Sequence, residues 1–168
     1  MNRKQCIFKM NKQFVIVALL FFFVSATAVG QDYETAVGVR GGFPTGLNGK
    51  HFFKKNTAVE AILSGYGGGF EFTGLYEIHT NAFDVPYLNW YYGPGAHINF
   101  FADNVIRPGY FYNGRAAGFS VGLDGILGME YTLTEIPFVI GFDVKPALDF
   151  LPDPYIYVGF GMSIRYYF

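Results

Sequence analysis

Between residues 156 and 168 the chain alternates without a break. Ile156, Val158, Phe160, Met162, Ile164, Tyr166 and Phe168 are large and apolar or aromatic, while Tyr157, Gly159, Gly161, Ser163, Arg165 and Tyr167 stand between them. Successive side chains of a strand point to opposite faces, whereas a helix repeats every 3.6 residues. The pattern therefore predicts a strand with one greasy face and one small or polar face.

The same split recurs upstream. In 119–134, Phe119, Val121, Leu123, Leu127, Met129 and Tyr131 oppose Ser120, Asp124, Glu130 and Thr132. In 138–150, Phe138, Ile140, Phe142, Val144, Leu148 and Phe150 oppose Asp143, Lys145 and Asp149. Segments 69–80, 87–101 and 57–66 repeat the pattern, and 35–42 and 46–54 carry it more weakly. No 3.6-residue period persists anywhere. Eight strands are predicted, in a single domain over residues 31–168.

The charges share one phase. Arg40, Lys50, Glu60, Glu71, Glu77, Asp124, Glu130, Asp143, Lys145, Asp149 and Arg165 fall on the polar face, with His79 and His97. The apolar face carries no Asp, Glu, Lys or Arg within the strands, only His51 near an end. A soluble sheet with such a face needs a second layer to cover it. Here 20% of residues are aromatic, 15% are charged and no helix is in prospect to supply cover. An inside-out barrel accounts for both facts, with lipid outside and polar groups within. It must close, because lipid cannot satisfy a free strand edge. The fold class expected is all-β: an eight-stranded antiparallel up-and-down transmembrane barrel.

Residues 1–30 read as a cleaved signal peptide. Arg3, Lys4, Lys9 and Lys12 precede an apolar run over 14–24, and small residues follow it. The run is shorter than the ~20 residues of a spanning helix. Cuts before Gln31 or Val29 both fit, and Met10 is an alternative start. Removing the leader takes away four of the 12 Lys and Arg and none of the 13 Asp and Glu, so the mature charge is 8 − 13 = −5. It also removes Cys6, the single cysteine, so no disulfide framework is available.

With both termini on the periplasmic side, the periplasmic turns are 54–56, 81–86 and 135–137. The outer connections are 43–45, 66–68, 102–115 and 152–154. Aromatics at the periplasmic ends, among them Phe53, Trp90, Tyr92 and Tyr131, suit an interfacial girdle. Pro94 and Pro146 fall inside strands, where proline removes a ladder donor, so each is expected to mark a bulge or break.

The run Gly122-Leu123-Asp124-Gly125-Ile126-Leu127-Gly128-Met129-Glu130-Tyr131, followed by Glu135-Ile136-Pro137 and Asp143-Val144-Lys145-Pro146, resembles small eight-stranded outer-membrane barrels of Gram-negative bacteria, the outer membrane protein A/X-like barrels. The ending Ser163-Ile164-Arg165-Tyr166-Tyr167-Phe168 is similar to the C-terminal assembly signal of that class. The resemblance implies that barrel-assembly machinery reads Met162, Ile164, Tyr166 and Phe168. It also implies outer-membrane lipids as surroundings, and no particular activity. The chain is expected to be a monomer.

Eight strands leave an interior that side chains fill. The polar-face residues are thus expected to form a paired plug, with Gly122, Gly128, Gly159 and Gly161 making room. Seven acids face four bases, so histidines, waters or cations must help balance them. A narrow pore or small-ligand barrel is one alternative. A lipid-modifying enzyme is another: Ser120 and His97 become cross-strand neighbours if the intervening hairpin is regular, with Glu71 near them. A surface-binding role would fall to 102–115, with Arg107, Tyr110, Phe111, Tyr112 and Arg115. No metal spacing, cofactor motif or basic patch appears, so no metal, cofactor or nucleic acid is expected.

Overall fold

The structure is a computed structural model and describes residues 33–66, 68–101, 118–151 and 154–168. The expected leader over 1–30 and the connection over 102–115 lie outside the described residues.

Eight strands follow one another: β1 (Thr35–Phe43), β2 (Thr45–Lys54), β3 (Thr57–Tyr66), β4 (Gly69–Asn81), β5 (Leu88–Phe101), β6 (Gly118–Leu133), β7 (Phe138–Asp149) and β8 (Tyr155–Tyr167). Each pairs antiparallel with the next, and β8 pairs back onto β1, closing an up-and-down barrel. Val39 accordingly lies opposite Leu47 on one side and Ile164 on the other. The shortest strand has 9 residues and the longest 16. A strand of ~9–11 residues, tilted, crosses a bilayer core.

The in/out phase follows the sequence period. Val39, Leu47, Phe72, Leu123, Phe142 and Phe160 are exposed on the outer wall, while every charge assigned to the inner phase is buried. Of the bulge or break expected at Pro94 and Pro146, each is a break. Each interrupts a ladder without shifting it. Along β4–β5, Leu75 pairs with Gly95 and Ile78 with Tyr92, and the positions between are skipped. Along β6–β7, Asp124 pairs with Ala147 and Leu127 with Val144. On the other side Pro94 keeps Gly125, and Pro146 keeps Val158. A residue's N–H serves only one neighbour, so losing it breaks one ladder and leaves the other intact. Facing is preserved: Tyr92 is exposed and Tyr91 beside it is fully buried. The irregularity that does shift register lies in β2, between Phe52 and Lys54.

The barrel end that carries the β2–β3 turn and both ends of the described chain is closed by apolar side chains. Phe52, Ala36, Ala58 and Val139 cluster with Tyr33, and Tyr167 packs against them. The Tyr33 ring meets Phe52 edge-on at 5.1 Å and stacks on Tyr167 at 5.6 Å.

Candidate functional site

Among the described residues, the buried charges gather in the interior. Adjacent inner-phase positions on eight converging strands bring charges far apart in sequence into contact. They form two clusters and a bridging pair.

The lower cluster centres on Lys50. Its Nζ lies 2.7 Å from Glu77, 3.1 Å from Glu130 and 3.2 Å from Glu60, and 4.0 Å above the Tyr91 ring. Arg165 donates to Glu130 at 2.7 Å and to Ser163 at 2.9 Å, and approaches Glu60 at 3.4 Å. Asn48 donates to Glu60 at 2.6 Å. His79 Nε2 sits 3.0 Å from Glu77, and its Nδ1 is 3.4 Å from Glu130. Tyr33 donates its hydroxyl to Glu130 at 3.0 Å, which ties the apolar floor to the ionic layer above. Burial, and next the Glu130 carboxylate, hold that phenol well above its ordinary range, so it stays a donor.

Between the clusters, Arg40 forms a two-point pair with Asp143 and donates to the Pro44 carbonyl at 2.9 Å. Tyr91 donates to the same carboxylate at 3.4 Å.

The upper cluster centres on Lys145, which donates to Glu71 at 2.8 Å and to Asp124 at 2.9 Å. His97 lies between two carboxylates, with Nδ1 2.8 Å from Asp124 and Nε2 2.6 Å from Asp149. With both carboxylates ionised, both contacts are hydrogen bonds when both ring nitrogens carry a proton. Tyr157 donates to Glu71 at 3.2 Å.

All eleven sequence-predicted polar residues are thus buried and paired. The acid excess is 7 − 4 = 3, and His79 and His97 each contact two carboxylates. Two imidazoliums would bring the excess to one. Three of the four glycines expected to make room do so. A Cβ at Gly122 would meet the His97 ring, at Gly128 the Tyr91 ring and at Gly161 the Arg40 guanidinium. Gly159 differs, because a Cβ there would meet the Phe43 carbonyl, so it admits backbone instead of charge.

The Ser120–His97 pairing is corrected. Ser120 lies opposite Asn99, and His97 lies opposite Gly122. The Ser120 hydroxyl donates to Asp149 at 3.3 Å and accepts from Asn99 at 3.1 Å. A nucleophile needs a base within reach of its own proton, yet both nitrogens of His97 face carboxylates. Glu71 does join the cluster, 2.8 Å from Lys145. Among the described residues no group of His, Cys, Asp and Glu is arranged to hold a metal.

Sequence reasoning passed over Asn48 and Tyr91, both buried among the charges. The period-two phase marks each of them as inward. Tyr33 precedes the first strand and carries no such signal.

Comparison with family models, with curated proteins and with solved structures found no match.

Proposed function

We propose that the mature protein is an integral outer-membrane β-barrel whose interior is filled, serving as a structural or surface-interaction element and not as a pore or enzyme. One observation carries this reading: the polarity of the molecule is reversed. A soluble barrel buries apolar side chains and exposes charge. Here Lys50, Glu77, Glu130, Arg40 and Arg165 are buried, and large apolar residues such as Leu47 (60% exposed) and Ile156 (70%) form the wall. Contiguous apolar surface on that scale marks a membrane or partner surface. Closure of β8 onto β1, which removes free edges, agrees with it. Residues 1–30 supply the export signal in this reading. Met162, Ile164, Tyr166 and Phe168, all on the outer face of β8 or just past it and exposed, supply the assembly signal.

The filled interior favours a closed barrel over a pore. The commitment of Ser120 to Asp149 and Asn99 favours a structural role over a catalytic one.

The test is fractionation of cells producing the full chain, followed by gels run with and without boiling. The protein is expected in the outer-membrane fraction, with faster migration when unboiled. Recovery as a soluble periplasmic protein would overturn the reading.

A further inference from the structure

The outer wall is not uniformly bulky. One row, read across adjacent strands, is Val37, Gly49, Ala61 and Gly74, each opposite the next in register. The row on one side carries Leu47, Leu63 and Phe72, and the row on the other carries His51, Val59 and Tyr76. The small side chains of Gly49, Ala61 and Gly74 leave a groove of about 620 Å³ in the wall, lined on its other side by His51, Val59 and Tyr76 and ending at Pro94.

Its shape selects an occupant. Residues two apart on a strand are ~6.8 Å apart, so the two rows that line the groove stand only about that far apart. A helix is ~10–12 Å wide with its side chains and does not enter. From β2 to β5 the groove crosses three strand spacings, ~14 Å. Those are the dimensions of a single hydrocarbon chain.

Its ends differ in chemistry and in depth. At the low end Thr35 is the first residue of β1, and His51 lies near the end of β2. The Thr35 hydroxyl and His51 Nδ1 are 2.8 Å apart, which holds the exposed imidazole in place on the outer wall. Lys54 and Lys55 follow at the same rim, both exposed, and the exposed Glu34 lies beside Thr35. At the high end, Gly74 and Pro94 sit in the middle of β4 and β5. The groove therefore climbs from a cationic rim at the strand ends to an apolar floor at mid-barrel. An ionisable side chain on a lipid-facing wall is costly unless it has a partner.

We propose that this groove binds one acyl chain of an anionic glycerophospholipid, with the phosphate held at the Thr35–His51 end. The proposal rests on the membrane-barrel reading above. It adds a specific lipid site in the leaflet on the side of the β2–β3 turn.

The groove can be filled without disturbing the wall. A Cβ at Gly74 meets nothing within 4 Å, and the same is true of Gly65, which lies outside the groove. The full chain is produced in membranes and extracted in mild detergent. It is then offered equal phosphatidylglycerol and phosphatidylcholine, and retained lipid is read by native mass spectrometry. The wild type is expected to retain one phosphatidylglycerol in preference to phosphatidylcholine. Gly74→Leu with Ala61→Leu should lower that retention by about tenfold or more, while Gly65→Leu leaves it unchanged. His51→Ala should abolish the headgroup preference. Unboiled gel mobility checks that each variant is folded. A wild type that fails to insert into vesicles at all would sink the membrane reading itself. A protein that inserts but retains both lipids equally, or retains them equally after groove filling, overturns the groove proposal alone. Loss of a dimer on groove filling, with retained lipid unchanged, would assign the groove to a second copy of the chain and overturn it as well.

Discussion

Lys50 places one ammonium among Glu60, Glu77 and Glu130, each within 3.2 Å. Such a group is worth little against an apolar alternative, but breaking it strands uncompensated charge. Lys50→Met should therefore destabilise the barrel by about 3–5 kcal/mol, read from urea unfolding of protein refolded in micelles. Adding Glu77→Gln removes one of the stranded carboxylates. The double variant should lose less than the sum of the singles, with a coupling of about 0.5–3 kcal/mol. Strict additivity would mean that the ion pairs do not act together. Glycine makes a second residue-level case. A Cβ at Gly122 collides with the His97 ring and the Leu148 carbonyl, whereas one at Gly65 meets open space. Gly122→Ala should cost about 1–3 kcal/mol by overpacking, and Gly65→Ala should be near neutral or stabilising. Equal effects at the two sites would contradict the crowding around His97.

At the scale of the strand, the last element joins two duties. Its inner phase supplies Ser163 and Arg165 to the lower cluster, and its outer phase supplies Met162, Ile164 and Tyr166 to the wall. If the outer phase is also the assembly signal, deleting Phe168 should lower the amount of assembled barrel in cells several-fold. The same deletion should impair refolding in micelles far less, because the Phe168 side chain is 68% exposed and the loss is confined to its two backbone hydrogen bonds with Thr35 and little packing. Equal loss in both settings would reassign Phe168 to stability. β8 was legible from sequence because its period is unbroken; β1 and β2, where the period is weaker, were read with less support. Strand ends moved by a residue where turn geometry decides. Tyr87, for example, takes φ 65° and leaves β5 to begin at Leu88. Cross-strand partnership was less legible. The phase showed that Ser120 and His97 both face inward, but not that Ser120 meets Asn99, because register across the 102–115 connection has no sequence signal. At Pro94 and Pro146 the sequence left bulge and break open, and the structure has the break. A missing N–H interrupts one ladder, and only an extra residue shifts facing.

At the scale of the molecule the eight strands close into one ring, and two measurements address it. In the first, the β1–β8 seam pairs Val39 with Ile164 on the outer wall. Val39→Cys with Ile164→Cys, in a chain carrying Cys6→Ser, should form an intramolecular disulfide on oxidation and change mobility after boiling. A distant pair such as Val39→Cys with Ile156→Cys should not. Absence of the first bond would mean an open sheet. The second concerns transport. With Arg40, Lys50, Lys145 and Arg165 all buried against carboxylates, an ion crossing the barrel would have to displace a paired charge at each level. Breaking such a pair is worth several kcal/mol. Below the ionic layers it would also meet the floor of Tyr33, Phe52 and Val139. Refolded protein in planar bilayers is therefore expected to give no single-channel steps. Tyr33→Ala should not open it by itself, because the Lys50 and Lys145 clusters remain. Reproducible steps from the wild type would show that the clusters yield to a passing ion, and would exchange the closed barrel for a narrow pore.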